Sequence, residues 1–121
     1  MRLVSSIILF LLAPLVQAQG NGSITLLNNL GSQLRQLRAM PLGTPTHARC
    51  PENKEFLIGT TQHVLQKELG APDFVNKQNT SWSYFFTSPV PRTQKGGGFP
   101  VLWFYFSKSN LVAGVTCYYS R

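Results

Sequence analysis

Residues 101–119 read VLWFYFSKSNLVAGVTCYY, and this stretch decides the fold. Aromatic and β-branched residues, which favour extended backbone, dominate both of its halves. Between the halves, residues 107–110 are Ser-Lys-Ser-Asn, a small polar group typical of a tight turn. The stretch therefore predicts a hairpin of two antiparallel strands, 101–107 and 110–119. A third run of the same character, 81–87, lies upstream, so the three together predict an antiparallel meander.

Large side chains occur on both faces of the predicted sheet. Side chains along a strand alternate between the two faces. In the first run, 81–87, one face carries Trp82, Tyr84 and Phe86 and the other carries Phe85. In the second, 101–107, one face carries Leu102, Phe104 and Phe106 and the other carries Val101, Trp103 and Tyr105. In the third, 110–119, one face carries Leu111, Ala113, Val115 and Cys117 and the other carries Val112, Thr116 and Tyr118. One face has to meet the helices. Two alternatives stay open for the other: an exposed partner surface, or a face covered by the N-terminal helix in a closed three-layer module.

The first of two predicted helices covers residues 23–38. Apolar side chains recur there every three or four positions, at Ile24, Leu27, Leu30, Leu34 and Leu37. Ser23 is the expected N-cap, and Gly31 is expected to bend or fray the helix. The prolines and the glycine of residues 41–45 end it.

The second predicted helix covers about residues 61–69. A threonine hydroxyl caps its start, Gly70 follows its last turn, and Pro72 prevents continuation. Two helices ahead of three strands predict an α+β fold class. We expect two helices packed on a three-stranded antiparallel meander, in the order ααβββ and in two layers.

The first 18 residues, MRLVSSIILFLLAPLVQA, have the composition of a secretory signal peptide. Arg2 supplies the positive start, residues 7–12 the apolar centre, and residues 16–18 the small-residue cleavage pattern. A transmembrane anchor needs about 20 apolar residues, and this run is broken earlier. No lipobox cysteine follows it, so we expect an exported, periplasmic protein that is not a lipoprotein. The predicted domains are the signal peptide 1–18, an N-terminal helix and loop 19–55, and an α+β module 56–121, with 19–121 forming one mature domain.

Two cysteines, Cys50 and Cys117, are the only ones in the chain. In an exported protein without a metal motif, two cysteines most often pair, so a disulfide is predicted; two free buried thiols are the alternative. His47 lies three residues before Cys50, but these two ligands fall short of the four that a structural zinc ion takes. No metal site is expected.

Eleven Lys and Arg residues stand against four Asp and Glu, which gives a net charge of +7. The chain has no nucleophile motif, phosphate-binding loop or metal motif, so we expect no catalytic residues, no cofactor and no enzymatic activity. The cations are dispersed rather than clustered, which together with export argues against nucleic acid as a partner. Another envelope or secreted protein is the expected partner, and the positive charge also allows peripheral contact with an anionic membrane surface.

A long connection, residues 88–100, joins the first and second predicted strands. It contains two cations, three consecutive glycines and a phenylalanine, without any anion. It is either a contact loop or a solvated hairpin loop, and both alternatives stay open. The candidate partner-binding residues lie in this loop and on the strands that follow: Arg92, Lys95, Phe99, Trp103, Tyr105 and Tyr118.

The second helix and the strands also follow a familiar pattern. It comprises Ile58-Gly59-Thr60-Thr61, Val64, Leu69-Gly70, Pro72-Asp73, Trp82-x-Tyr84-x-Phe86, Phe104-x-Phe106, Leu111-Val112 and Val115. Over about residues 56–119, the chain resembles the SmpA/OmlA (BamE-like) family of small bacterial envelope proteins, whose fold is shared by the repeats of the β-lactamase inhibitor protein. The resemblance implies a structural role for nine motif residues: Gly59, Thr60, Thr61, Val64, Leu69, Gly70, Pro72, Trp82 and Tyr84.

The resemblance implies a non-enzymatic envelope protein that binds another protein. Our first hypothesis is a periplasmic scaffold or accessory module of the outer-membrane assembly type. The alternative is an inhibitor or immunity-type protein. Such a protein would block a secreted toxin or lytic enzyme with the 89–99 loop and the aromatic face of the sheet.

Overall fold

The structure, a computed structural model, describes residues 22–45, 48–89 and 98–120. Residues 22–38 are helical and are named α1. The other elements follow in chain order: a 3-10 helix, Lys54–Leu57; α2, Gln62–Leu69; β1, Phe74–Val75; β2, Ser81–Phe85; β3, Pro100–Phe106; and β4, Val112–Tyr119. The predicted signal peptide, His47, Arg92 and Lys95 lie outside the described residues.

The four strands form one antiparallel sheet in chain order, β1-β2-β3-β4. The predicted α+β class is confirmed, but the sheet has four strands where three were predicted. The additional strand is β1, which is two residues long and pairs Phe74 with Ser83 and Val75 with Trp82. Two residues are too few to show an alternating pattern, so no periodicity marks this strand in the sequence.

The start of β4 differs from the predicted alternation. A bulge shifts the register between β3 and β4, so that Tyr105 pairs with Gly114 but Phe106 pairs with Val112. Val112 is therefore turned into the core and is 1% exposed, whereas Leu111 and Ala113, which were predicted to share a face with the core residue Cys117, are exposed. One extra residue in a strand moves the side chains before it to the opposite face.

Both helices pack on the same face of the sheet. Leucines of α1, of the 3-10 helix and of α2 join the strand residues in one buried cluster: Leu27, Leu30, Leu34, Leu37, Leu57, Leu65 and Leu69, with Trp82, Tyr84, Phe86, Leu102, Phe104 and Val112. The described residues therefore form two layers, and α1 does not cover the other face of the sheet as the three-layer alternative required. Two details of α1 also differ from prediction: Ile24 is 54% exposed, and Ser23 lies inside the helix rather than at its N-cap.

Gly31 lies where α1 comes close to the backbone of α2. The helix was expected to bend or fray there, yet it is continuous from residue 22 to 38. Gly31 is buried, and a Cβ on it would overlap the backbone carbonyl oxygen of Glu68 in α2. Only glycine allows the two backbones to approach this closely, so the residue has a packing role despite its low helix propensity.

Arg38, in the last turn of α1, ties the helix layer to the edge of the sheet. Its guanidinium lies 3.2 Å from the carboxylate of Asp73 and donates a 3.3 Å hydrogen bond to the carbonyl oxygen of Ala71. The same carboxylate oxygen, Asp73 Oδ2, accepts a 2.7 Å hydrogen bond from the backbone N–H of Phe85. Asp73 therefore bridges α1 and β2 next to the short strand β1.

Candidate functional site

The face of the sheet opposite the helices is the candidate site, and we call it the outer face. The strand register places on it Phe74 of β1, Ser81, Ser83 and Phe85 of β2, Val101, Trp103 and Tyr105 of β3, and Gly114, Thr116 and Tyr118 of β4. None of these side chains is charged. In a protein with a net charge of +7, the outer face is therefore a neutral surface.

Aromatic rings of the outer face contact one another and remain partly exposed. The rings of Trp103 and Tyr105 stack, with their centroids 5.6 Å apart and an angle of 12° between their planes. The ring centroids of Trp103 and Tyr118 lie 6.3 Å apart. Phe74, Tyr105 and Tyr118 keep 53%, 42% and 44% of their surface exposed. Isolated surface aromatics are common, but a contiguous group of this kind marks binding surfaces.

Four of the six predicted partner-binding residues lie within the described chain. Trp103, Tyr105 and Tyr118 are brought together on the outer face. Phe99 lies just before β3, with its ring 5.8 Å from that of Phe85, a residue of the same face. Arg92 and Lys95 are outside the described residues, so only the aromatic part of the predicted set has a place in the structure.

One polar side-chain group of the outer face is buried without a hydrogen-bond partner among the described residues. Trp103 Nε1 is buried and has no acceptor. Ser81 and Ser83 are each 4% exposed. A buried donor without an acceptor costs about 1–3 kcal/mol. The outer face therefore holds hydrogen-bonding capacity that the described chain does not use.

The sequence-based prediction missed four residues of this face: Phe74, Ser81, Ser83 and Gly114. Phe74 belongs to the unpredicted strand β1. The two serines occupy alternate positions of β2: Ser81 precedes the core residue Trp82, and Ser83 lies between Trp82 and Tyr84. The alternation of β2 is a sufficient signal for both serines, since each stands opposite the core residues along the strand.

Among the motif residues, Thr61 and Gly70 bound α2, Trp82 and Tyr84 pack in the core, and Val64 is 38% exposed. Thr61 is the N-cap of α2, and its hydroxyl accepts a 3.1 Å hydrogen bond from the N–H of Val64. Gly70 ends α2 at a φ of 81°, a region that favours glycine. Trp82 and Tyr84 are 6% and 0% exposed, on the face that meets the helices.

The predicted disulfide is confirmed. Cys50 and Cys117 are joined with an S–S distance of 2.07 Å across 67 residues. The backbone N–H of Cys50 also donates a 3.2 Å hydrogen bond to the hydroxyl of Tyr119. The loop before the 3-10 helix is thus attached to the last strand on the helix side, away from the outer face.

The described residues contain few other groups that could bind a metal ion, a membrane or a ligand. No three His, Cys, Asp or Glu side chains within residues 22–45, 48–89 and 98–120 gather closely enough to hold a metal ion. Over the same residues, no helix is both long and apolar enough to cross a membrane. An open groove of about 420 Å³ lies between α1 and the 3-10 helix, lined by Gly22, Thr25, Leu26, Asn29, Asn53 and Phe56.

Comparison with known proteins identifies no family for the chain. No family model matches it, and no curated protein is significantly similar to it. The resemblance to the SmpA/OmlA family therefore stays a prediction from the sequence pattern.

Proposed function

We propose that this chain is a non-enzymatic, exported module of the bacterial periplasm that binds another envelope or secreted protein. We further propose that the outer face is its binding surface and that the module belongs with the SmpA/OmlA-type accessory proteins of outer-membrane assembly. One observation carries the proposal: the outer face is uncharged, and its aromatic residues Phe74, Tyr105 and Tyr118 are 42–53% exposed.

The chemistry of the outer face favours a protein partner over the other classes. Tyrosine and tryptophan supply much of the binding energy at protein interfaces, since they combine a large apolar ring with a polar tip. Nucleic acids and anionic membranes are bound through clustered cations, which this face lacks. Exposed cations such as Arg35 and Lys67 lie on the helices of the opposite layer.

Export is supported by two independent features. Residues 1–18 have the pattern of a signal peptide. The disulfide between Cys50 and Cys117 is of a kind that persists in the oxidising periplasm and is rare in the cytosol.

An inhibitor or immunity-type protein is the second candidate. It is favoured by the rigid placement of the aromatic residues, since Trp103, Tyr105 and Tyr118 stand on paired strands rather than on loops. Rigid surfaces lose little conformational entropy on binding, which is how tight inhibitors reach high affinity. In this case the partner would be a secreted toxin or lytic enzyme.

The experiment is a crosslinked capture from an envelope extract with the oxidised mature chain as bait. The parent chain is compared with a Tyr105→Ser, Tyr118→Ser double variant of the outer face. The matched control is Phe56→Ser, which removes an aromatic side chain that is 52% exposed on the helix side. We expect one protein to be captured by the parent and the control but lost with the double variant.

The captured protein is then purified and titrated against the same three chains by calorimetry. Loss of the partner's catalytic activity in the complex favours the inhibitor, and an unaffected or assembled partner favours the scaffold. Equal binding by the parent and the double variant would refute the outer face as the binding surface.

A further inference from the structure

The strand β4 forms one edge of the sheet, and part of its backbone points away from the sheet. Residues of an antiparallel pair direct their N–H and C=O groups alternately toward the partner strand and away from it. The N–H of Ser120 donates a 2.9 Å hydrogen bond to the carbonyl oxygen of Phe99, which fixes the phase of this alternation. Residues 114, 116 and 118 therefore face β3, and the residues that face away are Val115, Cys117 and Tyr119.

This outward edge pairs with the chain's own backbone only at its start. The N–H of Gly59 donates a 2.8 Å hydrogen bond to the carbonyl oxygen of Val112, and the N–H of Val112 donates a 2.7 Å hydrogen bond to the carbonyl oxygen of Thr60. Farther along, no backbone segment among the described residues pairs with the outward groups of residues 115–119. Backbone groups without a partner strand bond to water or to another backbone. The edge therefore accepts a backbone neighbour and is free to take one over residues 115–119.

The loop that carries Cys50 supports this edge without pairing with it. The side chain of Cys117 lies on the helix side, where it packs against the core, and the disulfide holds the loop there. The N–H of Cys50 donates its hydrogen bond to the side-chain hydroxyl of Tyr119 rather than to the backbone of β4. The disulfide thus fixes β4 while its outward backbone groups stay unpaired. A strand that is already fixed loses little conformational entropy when a neighbour binds.

The two edges of the sheet differ in their protection. Exposed edges are usually protected by a short strand, charged side chains or proline. The β1 edge follows this rule, because β1 has two residues and lies between Asp73 and Lys77. By contrast, β4 has eight residues, Val112–Tyr119, with neither a charged residue nor a proline, and its bulge lies before residue 114. Residues 115–119 thus form a regular, unprotected edge.

Side chains around this edge define the chemistry of the segment that it fits. Only an extended backbone presents donors and acceptors at the spacing of a neighbouring strand. Both β4 and the outer face lack charged residues, so a charged side chain of the segment would lose hydration without meeting an opposite charge. Tyr118 and Tyr119, on opposite faces of the strand, are 44% and 51% exposed. Their rings would therefore flank a bound segment on both faces.

We propose that the free edge of β4 binds an extended, uncharged segment of the partner protein as an additional strand of the sheet. The identity of this occupant rests on the proposed function, since the segment belongs to the same partner, whereas the open edge does not depend on that function. One row of side chains of the bound segment extends the outer face beside Thr116 and Tyr118. The edge and the outer face then form one continuous binding surface.

The first test is amide hydrogen exchange, followed by NMR on the free, oxidised mature chain. The N–H groups of Val115 and Cys117 should exchange about 100-fold faster than those of Thr116 and Tyr118, which are bonded to β3. Equal protection of the two sets would show that the edge is already paired, and would overturn the proposal.

The second test is an NMR titration with a capped peptide of alternating threonine and valine as the probe. We expect saturable shifts and slower exchange at the N–H groups of Val115, Cys117 and Tyr119. Methylation of every second backbone nitrogen of the peptide leaves one hydrogen-bonding edge and should preserve binding. Methylation of every backbone nitrogen leaves none and should abolish it. A peptide that fails to bind, or that binds when fully methylated, would overturn the proposal.

Variants of the chain complete the test. Val115→Pro removes one outward N–H and leaves the bonds between β3 and β4 in place, and should weaken peptide binding about 10-fold or more. The matched control is Thr116→Val, which changes the adjacent side chain but no backbone group and should bind like the parent. Circular dichroism establishes folding, and Tyr119→Pro repeats the test at the end of the strand where Val115→Pro fails to fold. Unchanged binding by a folded proline variant would refute the edge as the site.

The same variants separate this proposal from the proposed function. If the captured partner binds the proline variant as tightly as the parent but is lost with Tyr105→Ser, Tyr118→Ser, strand addition is wrong and the outer face remains the binding surface. If the partner is lost with the proline variant but retained by the double variant, the edge is the site and the outer face is not.

Discussion

The hydroxyl of Tyr84 donates a 2.8 Å hydrogen bond to the backbone carbonyl oxygen of Gly70. Tyr84 stands in the middle of β2 and is 0% exposed, and Gly70 is the residue at which α2 ends. The end of a helix leaves carbonyl groups without intrahelical partners. A strand side chain satisfies one of them here, which fixes α2 to the sheet.

Tyr84→Phe should lower the free energy of unfolding by about 1–2 kcal/mol, because the ring still packs but the Gly70 carbonyl loses its donor. Urea denaturation of the oxidised chain measures the change. Tyr118→Phe, at a side chain that is 44% exposed, is the matched control and should stay within about 0.5 kcal/mol of the parent. Equal stability of the Tyr84→Phe variant and the parent would mean that this hydrogen bond adds nothing to the free energy of unfolding.

Stability should fall at alkaline pH through the same residue. Burial raises the pKa of Tyr84 above its ordinary value of 10.0, and the nearby Arg38 only partly offsets this. Above pH about 10, the unfolded chain releases the phenol proton while the folded chain retains it. The contribution of Tyr84 is therefore fully present below pH about 10 and is lost as the pH rises further. Melting temperatures at rising pH should decline less steeply for Tyr84→Phe than for Tyr118→Phe, and parallel curves would contradict this.

Gly31→Ala distinguishes helix propensity from packing, since the two effects have opposite signs. Propensity alone predicts a gain of about 1 kcal/mol in the free energy of unfolding. Overlap of the new Cβ with the Glu68 carbonyl predicts a net loss of about 1–3 kcal/mol, as is usual for overpacked sites. Thermal or urea unfolding gives the sign. Asn28→Ala, on the exposed side of α1, is the control and should be neutral or slightly stabilising. A stabilised Gly31→Ala variant would show that α1 can move away from α2.

Loss of the disulfide should lower the free energy of unfolding by about 2–4 kcal/mol, because the bond closes a long loop in the unfolded chain. The double variant Cys50→Ser, Cys117→Ser should melt at the temperature of the reduced parent chain. Adding a reductant should lower the melting temperature of the parent and leave that of the double variant unchanged. If the reductant has no effect on the folded parent, mass spectrometry under denaturing conditions shows whether the bond was reduced at all.

Local signals allowed most of the helix boundaries to be predicted. Thr61 and Gly70 bound α2 through their own hydroxyl and backbone freedom, which do not depend on the rest of the fold. The hairpin turn is similar, because Asn110 adopts the left-handed conformation, at a φ of 62°, that asparagine tolerates well. Features that arise between elements were missed: the bulge opposite Phe106, the strand β1 and the contact of Gly31 with α2 all depend on a neighbour distant in sequence.

The candidate site was predicted in part for the same reason. Alternation indicated that Trp103 and Tyr105 share a face, but it did not tell which face the helices cover. The helices cover the face of Trp82, Tyr84 and Phe104 because the leucines of α1 pack beside α2. This contact between two helices is not encoded by the pattern within either helix. Ser81 and Ser83, the short side chains of the outer face, pair with Tyr105 and Trp103 of β3. This pairing between strands cannot be read from β2 alone.

The position of Cys117 has a consequence for biogenesis. Its bond to Cys50 spans 67 residues and ends in the last strand of the sheet. A chain that crosses a membrane with its N-terminus first delivers Cys50 as a solitary thiol, and its proper partner emerges only with β4. Until then the Cys50 thiolate can attack a disulfide of another molecule, which forms a mixed disulfide and releases the other sulfur as a thiol. If the chain is exported as proposed above, the disulfide can therefore close only after β4 has crossed the membrane.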